Sequence, residues 1–223
     1  MKLVSFLIPS INKESFVKSI ECLKNTCSNI SLVEVLIKID IETDTPFYED
    51  ILQKSGFDHR ILCSPVSGYT NIGVFHNEMA AVSQGSLLIP YADDLFMEHG
   101  DWVKELEYTR TIYPDNLYAV ALLCGQGLYG SHKYEKPWFS VCSGITKEWL
   151  QCLGYIAFGY QIDYWIALVA RDIGRYIHVP REKCYISFVD TVSHIRGKEV
   201  KKLHTKMYKE LPNAVKKLKI NLL

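Results

Sequence analysis

The stretch Ser86-Leu87-Leu88-Ile89-Pro90-Tyr91-Ala92-Asp93-Asp94 decides how the rest of the chain is interpreted. An apolar run leads directly into two adjacent carboxylates, which predicts a buried strand over residues 86–91 that delivers both acids to the rim of a sheet. Two like charges at one point repel each other unless a cation or several hydrogen-bond donors lie between them. Oxygen ligands of this kind suit Mg2+ or Mn2+, and such ions commonly hold substrate phosphates as well. The pair therefore predicts either a metal-assisted phosphate site or a solvated turn.

The composition is that of a globular protein without a strong overall charge. The chain has 223 residues, of which 48% are hydrophobic, and it carries 25 basic and 25 acidic side chains. This length suits one sizeable domain or at most two small ones. A net charge of zero argues against a general nucleic-acid binder, which normally has a basic excess. We therefore expect no nucleic-acid partner.

The cysteines and the first residues bear on the compartment. The seven cysteines lie mostly in apolar runs and form no CxxC pair, so we expect free thiols in a reducing compartment. The start resembles a secretory signal, but its apolar stretch is short and Pro9 follows it, so we interpret residues 3–8 as a buried strand. No segment is long enough to span a bilayer. These features together predict a cytoplasmic protein.

The first half of the chain alternates strands and helices. Strands are predicted at residues 3–8, 33–39, 60–63 and 86–91. Two of the intervening helices show apolar residues at spacings of three and four: Phe16, Ile20, Leu23 and Cys27 in one, and Ile72, Phe75, Met79 and Val82 in the other. A short helix between them begins near Pro46 and ends near Gly56. Repeated strand–helix–strand units imply a parallel sheet with right-handed crossovers.

The second half is less regular. It predicts a helix through Trp102, Leu106 and Thr109, helices at 147–153 and 162–173, and strands at 117–124, 139–142 and 176–179. Residues 125–138 are expected to form a long loop, and loops of that length are often functional.

Polar residues cluster at one edge of the predicted sheet. Ligands of parallel sheets bind beyond the carboxyl ends of the strands. Asn12, Asp40, the loop at 68–71 and the pair Asp93 and Asp94 all follow such ends. Their convergence predicts a binding site at this edge.

The order of these motifs resembles the glycosyltransferase family 2 pattern over residues 3–180. Four segments carry the resemblance, in chain order: Ser5-Phe6-Leu7-Ile8-Pro9-Ser10-Ile11-Asn12-Lys13 is similar to the first-strand signature, Ile39-Asp40-Ile41-Glu42-Thr43-Asp44 lies at the Asp-Asp-x-Ser-x-Asp position, Asn71-Ile72-Gly73 with His76-Asn77, Ala81 and Gly85 follows the Asn-x-Gly…Arg-Asn…Ala-x-Gly run, and Tyr91-Ala92-Asp93-Asp94 lies at the metal-binding Asp-x-Asp position.

The resemblance implies a GT-A fold, an α/β architecture with a Rossmann-like, mixed, mostly parallel sheet flanked by helices. Residues 1–195 would form one domain, with a nucleotide-sugar-binding half at 1–97 and an acceptor-binding half at 98–195, followed by a basic tail at 196–223. The implied activity is a metal-dependent inverting transfer of a sugar from a nucleotide-diphosphate donor, with uridine as the expected base, to a hydroxyl of a saccharide, lipid-linked or protein-linked glycan.

The resemblance also implies roles for individual residues. Asp163, in Gln161-Ile162-Asp163, lies where the family has its catalytic base. Asp40 would accept the imide N–H of uracil, Asp93 would meet the ribose or diphosphate, and Asp94 would ligate Mn2+ or Mg2+. The expected nucleotide-sugar contacts are Pro9, Ser10, Asn12, Asp40, Asn71, His76, Asn77 and Asp93. Asp93 and His194 are further candidate metal ligands, and Trp138 and Trp165 are candidate acceptor contacts, although core packing is the commoner role of a lone aromatic residue.

The chain departs from the family pattern at several positions. Ile162 replaces the usual Glu before the catalytic acid, and His76 replaces an Arg that would place a permanent charge near the diphosphate. Ile11 and Ile41 replace a Tyr and an Asp. These departures leave open the identity of the donor and a second interpretation, a catalytically inactive relative that binds carbohydrate or nucleotide sugar.

A third interpretation is a palm-type polymerase, because Tyr-Ala-Asp-Asp is also a catalytic string of reverse transcriptases. That site needs a further metal-binding Asp well upstream, after a basic fingers region. Only about ninety residues precede the motif here, they alternate strands and helices, and Pro90 would disturb a central hairpin. We therefore disfavour the polymerase.

The tail is strongly basic. Residues 196–223 carry nine Lys and Arg against two Asp and Glu. Val200, Leu203, Met207 and Leu211 recur at near-helical spacing, so the tail is expected to be a helix whose apolar face either packs on the body or lies on an anionic membrane.

Overall fold

A computed structural model describes residues 2–40, 42–64, 68–122, 140–157, 159–180, 182–188 and 198–222. Within these ranges the strands are β1 (Lys2–Pro9), β2 (Val33–Ile39), β3 (Asp58–Cys63), β4 (Gly85–Pro90), β5 (Leu95–Gly100), β6 (Ala119–Leu122), β7 (Cys142–Thr146), β8 (Tyr176–Val179) and β9 (Cys184–Phe188). The helices are α1 (Lys13–Asn25), α2 (Thr45–Ser55), α3 (Ile72–Val82), α4 (Trp102–Thr109), α5 (Lys147–Leu153), α6 (Ile162–Ile173) and α7 (Lys198–Ile220).

Seven strands form the main sheet in the order β3-β2-β1-β4-β7-β6-β8. The first four strands in this order are parallel, β7 is antiparallel to both neighbours, and β8 is again parallel to β6. The sheet is therefore mixed and mostly parallel, which confirms the predicted class. β5 and β9 pair separately as a small antiparallel sheet.

Buried side chains cover both faces of the main sheet. On one face, apolar residues of α1, α2 and α4 pack against β1, β2 and β4. On the other face, α3, α5, α6 and α7 form a second core. A sheet covered on both sides requires strands with few polar residues, and all seven residues of β2 are buried. This explains why β1 and β4 were recognisable from their apolar runs.

The differences from the predicted elements lie near the end of the chain and around the paired acids. The strand predicted at 139–142 is instead β7, which begins at Cys142. β5 and β9 were not predicted, although they pair with each other across about ninety residues of sequence. β5 has no alternating apolar pattern and β9 has only a short one, so neither gave a clear signal without its distant partner.

The tail forms α7, which packs on α5 and α6. Its apolar face contributes Met207, Leu211, Ala214 and Leu218 to the second core. The face that a membrane-surface helix would insert is thus buried against the body, which confirms the packing alternative and gives no support to the membrane contact. Among the described residues, no helix is both long and apolar enough to cross a bilayer.

The docking of α7 predicts a contrast between two aliphatic residues of its last turns. Leu218 is 0% exposed and Ile220 is 61% exposed. Leu218→Ala should lower the free energy of unfolding by about 2–5 kcal/mol because it leaves a cavity, whereas Ile220→Ala should change it by less than about 0.5 kcal/mol. Urea denaturation of both variants checks this. Equal effects would show that the helix does not dock through this face.

Candidate functional site

The carboxyl ends of the parallel strands meet at one edge of the sheet. Pro9 of β1 lies opposite Lys38 of β2, and Leu7 lies opposite Pro90 of β4. The Tyr91 amide then donates to the Leu7 carbonyl at 2.9 Å, so β4 delivers the paired acids directly beside the end of β1. The structure therefore brings together the loop after β1, Asp40 and the two acids, as the sequence predicted.

Asp93 is bound by the loop that follows β1. Its Oδ2 accepts hydrogen bonds from Ser10 Oγ at 2.9 Å, from the Ile11 amide at 3.1 Å and from the Asn12 amide at 3.0 Å. Asn12 in turn caps α1, since its Oδ1 accepts from the Ser15 amide at 3.1 Å. One carboxylate oxygen thus organises the loop and the start of α1. Three donors satisfy this oxygen without a cation.

The two acids consequently have different environments. Asp93 Oδ2 is directed into the loop, whereas Asp94 is the next residue along the turn and has an intermediate exposure. Within the described residues there is no cluster of three or more His, Cys, Asp or Glu that would enclose a metal ion. Asp94 nevertheless fits one carboxylate ligand of a hard cation whose remaining ligands are phosphate oxygens and water.

Asp40 lies at the end of β2 and is paired with Lys38. The Lys38 ammonium contacts Asp40 Oδ1 and lies over the Phe75 ring, 3.9 Å from its centroid. Lys38 is 1% exposed, whereas the Asp40 side chain is 29% exposed. The sequence analysis did not single out Lys38. A lysine in a strand predicted to be buried on both faces, two residues before an Asp, was the signal that could have revealed the pair.

The residues expected from α3 are placed at different depths. Asn71 immediately precedes the helix, at the ligand edge. His76 is buried, its Nδ1 lies 2.8 Å from the Ile72 carbonyl, and burial lowers the pKa of its imidazole to about 4. A neutral, buried imidazole does not fit the expected diphosphate contact, because it supplies no positive charge there.

Asn77 connects α3 to the segment that precedes α6. Its Nδ2 donates to the Ala157 carbonyl at 2.7 Å, and its Oδ1 accepts from the Ile156 amide at 2.7 Å. Both ends of the amide are therefore engaged by the segment that leads to α6. This contact links the donor half of the predicted domain to the helix that carries Asp163.

Asp163 lies in the first turn of α6, whose N-terminus is at the same edge as the end of β8 because the helix runs antiparallel to that strand. Burial raises the pKa of its carboxyl to about 7, against the lowering effect of hydrogen bonds from the backbone of Tyr164 and of Asp163 itself. A carboxyl with this pKa exchanges protons near neutrality, which is the property that a general base requires.

Tyr176 of β8 lies near enough to this carboxyl for the two groups to interact electrostatically, and His178 packs against Tyr176; the sequence analysis missed both residues. The Tyr176 hydroxyl lies 2.6 Å from Ser143 Oγ, and burial, with a smaller contribution from the charge of Asp163, raises its pKa. The His178 ring is 4.5 Å from the Tyr176 ring, and burial lowers the pKa of His178. Residues two apart in a strand share a face, so the predicted strand at 176–179 already placed this pair together.

Three predicted site residues remain: Trp165, Trp138 and His194. Trp165 is 2% exposed and belongs to the second core, so it packs there and is not available to stack on an acceptor sugar. Trp138 and His194 lie outside the described residues.

The three hydrogen bonds to Asp93 predict a structural role that can be measured. Asp93→Ala should lower the free energy of unfolding by about 1–3 kcal/mol, because the charge-assisted bonds to the loop are lost. Ser10→Ala removes one of the three donors and should cost only about 0.5–1.5 kcal/mol. Chemical denaturation of both variants checks the order. A larger loss at Ser10 than at Asp93 would contradict it.

Comparison with known proteins finds similarity in structure only. No family model and no curated protein matches the sequence. The S. aureus TarS 1-349 structure in complex with UDP-GlcNAc is 12% identical with a TM-score of 0.70, and the match covers 94% of this chain and 66% of that chain. The chain spans 60% to 66% of the length of the TarS 1-349 structures that it matches.

Two further structures share the architecture. Glucosyl-3-phosphoglycerate synthase from Mycobacterium tuberculosis, in complex with Mn2+, UDP and glucosyl-3-phosphoglycerate, is 15% identical with a TM-score of 0.57, covering 96% of this chain and 78% of that chain. The mannosyltransferase PcManGT from Pyrobaculum calidifontis, in complex with GDP-Man and Mn2+, is 11% identical with a TM-score of 0.63, covering 98% of this chain and 73% of that chain. These similarities confirm the predicted fold: the chain has the GT-A fold of nucleotide-sugar glycosyltransferases.

Proposed function

We propose that this protein is a metal-dependent inverting glycosyltransferase that moves a sugar from a uridine-diphosphate donor to an acceptor hydroxyl. The observation that carries the proposal is a carboxyl with a pKa raised to about 7, Asp163, at the sheet edge that also holds Asp40, Asp93 and Asp94. The fold supports it, since similar structures contain UDP, UDP-GlcNAc or GDP-Man.

The donor would lie along the ends of β1, β2 and β4. Asp40 is an acceptor at the mouth of the edge and suits the imide N–H of uracil. The loop of Pro9, Ser10 and Asn12, fixed by Asp93, would border the ribose, and Asn71 would approach from the start of α3. His76 is buried and burial lowers the pKa of its imidazole to about 4, so it would not place a positive charge on the diphosphate.

The metal would be held by Asp94 together with oxygens of the donor diphosphate. A divalent cation there supplies Lewis-acid stabilisation of the negative charge on the departing nucleoside diphosphate. Similar structures from two organisms contain Mn2+, which supports this assignment.

Asp163 would act as the base in one in-line displacement. Its carboxylate accepts the proton of the acceptor hydroxyl while the acceptor oxygen forms a bond to the anomeric carbon. The bond from that carbon to the diphosphate breaks on the opposite face, and the leaving group departs with the electron pair, so the configuration inverts. Partial burial suits this role, because the ionised form is held close to its protonation equilibrium at neutral pH.

The topology argues against the palm-type polymerase. The Tyr91–Asp94 segment connects β4 of the main sheet to β5 of the separate small sheet, so it does not close a hairpin between neighbouring strands. Among the described residues, Cys22, Cys27, Cys63 and Cys152 are free thiols, which supports the proposal of a reducing, cytoplasmic environment. A saccharide, lipid-linked or protein-linked glycan remains the proposed acceptor.

A donor panel tests the reaction class. We expect slow hydrolysis of at least one UDP-sugar in the presence of Mn2+, abolished by chelation and reduced at least about tenfold by Asp94→Asn. Asp172→Asn, an exposed acid at the other end of α6, should leave hydrolysis unchanged. Product analysis by chromatography measures both. Tight donor binding without hydrolysis across the panel would favour the inactive relative, and template-dependent nucleotide incorporation would favour a polymerase.

Asp163 predicts a defined pH dependence. In the wild type, kcat/KM should rise about tenfold per pH unit below about 7 and level off above it, because only the ionised carboxylate accepts the proton. Asp163→Asn should lower kcat by about 10²–10⁴-fold, remove the acidic limb and leave UDP affinity unchanged. Near-normal transfer by this variant would reject Asp163 as the base.

The raised pKa of Asp163 also determines how the free energy of unfolding changes with pH. The folded-state pKa of about 7 is raised above the ordinary value of 3.8, so between these values the folded protein holds a proton that the unfolded chain has lost. The free energy of unfolding therefore falls as pH rises through this window, by up to about 1.4 kcal/mol per pH unit. Asp163→Asn, which is neutral throughout, should be more stable than the wild type at pH 8 and similar to it at pH 4. If Asp163→Asn were less stable than the wild type at pH 8, burial would not be what raises the pKa of Asp163.

A further inference from the structure

The Lys38–Asp40 pair has an unusual arrangement for an ion pair at a sheet edge. Lys38 is in a strand of which every residue is buried, and it is 1% exposed. Alternation along β2 places Lys38 and Leu36 on the face covered by α3. A lysine that is almost fully buried is rare, because removing an ammonium from water is costly unless a counter-charge is present.

Three contacts fix the position of the lysine. Its ammonium lies 3.9 Å from the centroid of the Phe75 ring, which provides a cation–π contact on the α3 side. Its backbone carbonyl accepts a hydrogen bond from the Ser10 amide at 3.0 Å, which ties β2 to the loop after β1. Its ammonium contacts Asp40 Oδ1. The inner member of the pair is therefore held by the sheet and the helix.

The outer member of the pair is accessible. The Asp40 side chain is 29% exposed and lies where the strands end. A carboxylate offers about four acceptor positions, so engagement of Oδ1 by an ammonium leaves capacity to accept from a ligand. The pair thus presents a ligand with an acceptor of fixed orientation.

An acceptor of this kind discriminates among nucleobases. Uracil presents an imide N–H, and guanine presents a ring N–H next to its carbonyl, so both donate to a carboxylate. Cytosine and adenine present an unprotonated ring nitrogen at the corresponding position, which is an acceptor and repels the carboxylate. When the carboxylate of the site faces a ring nitrogen that is also an acceptor, no hydrogen bond forms. Affinity is then lost because a buried polar group is left unsatisfied.

We propose that Lys38 is the positioning residue that sets the base selectivity of the donor site, by holding Asp40 as a fixed acceptor for bases that present a ring N–H. This rests on the proposed function, since it takes the edge at Asp40 to be the nucleotide site. Lys38 acts through Asp40 and need not touch the base. The class of donor it selects is a uridine or guanosine diphosphate sugar over a cytidine or adenosine one.

Calorimetric titration of UDP and CDP with Mn2+ tests the proposal on the full chain. The wild type should bind UDP more tightly than CDP. Lys38→Met keeps the length of the side chain without the charge, and should weaken UDP binding about 10–100-fold while CDP binding changes less than about threefold. Lys38→Arg should restore most of the UDP preference, since it restores the cation. A purely structural role would weaken both nucleotides together.

A second pair of variants keeps the test decisive if Lys38→Met does not fold. Asp40→Asn with Lys38→Met removes both charges and leaves neither one buried alone. Compared with Asp40→Asn alone, the double variant should show the same ratio of UDP to CDP affinity, because Lys38 acts only through the carboxylate. The inference about Lys38 is overturned if the double variant and Asp40→Asn differ in their ratio of UDP to CDP affinity. It is also overturned if Lys38→Met folds and keeps the wild-type ratio, and in both cases the proposed function stands. If the wild-type protein binds no nucleotide, both the proposed function and the inference about Lys38 are overturned.

Discussion

Like charges gathered at one edge of the sheet are the constraint on which this site depends. Asp40, Asp93, Asp94 and Asp163 follow strand ends or begin a helix at the same edge, and unsatisfied carboxylates so arranged would repel one another. The structure treats them differently. Three hydrogen-bond donors satisfy Oδ2 of Asp93, and the buried ammonium of Lys38 lies beside Asp40. Burial raises the pKa of Asp163 to about 7. In our proposal Asp94 is a ligand of a divalent ion that also binds the donor diphosphate.

These different solutions also explain why adjacent acids are not interchangeable. Asp93 contributes to the position of the loop after β1 and, through Asn12, to the start of α1. Its charge is thus used within the protein before any ligand binds. Asp94 lies one residue further along the turn and has an intermediate exposure. Two adjacent acids that look equivalent in the sequence thus differ in the structure: Asp93 holds the loop after β1, and in our proposal Asp94 is the metal ligand.

Much of the fold was predictable because local patterns determine it. β1 and β4 are largely apolar runs, as expected where helices cover both faces, and the bounds of α5, α6 and β8 agree with the capping and periodic signals. β5 and β9 escaped prediction because each depends on the other across a long separation. The edge at which Asp40 and Asp93 meet was predictable as well, since parallel strands place their carboxyl ends together.

The site was less predictable than the fold, because side-chain depth depends on packing between distant segments. His76 and Asn77 follow the family motif in the sequence, yet the first is buried and the second is engaged with Ile156 and Ala157. The motif identifies which helix borders the site but not which of its faces points there. Lys38 follows no family motif, and its role became apparent only from its burial, which the sequence does not show.

The replacement of the usual Glu by Ile162 then acquires a physical meaning. A neighbouring acid would raise the pKa of Asp163 by repulsion, whereas Ile162 is itself buried and is part of the apolar surroundings of the first turn. Desolvation and repulsion both disfavour the charged form of a carboxyl, so either can bring its pKa toward neutrality. In this chain burial is the largest cause of the shift, and it brings the pKa to about 7 without a second acid. The absence of the Glu therefore does not remove the property that a base requires.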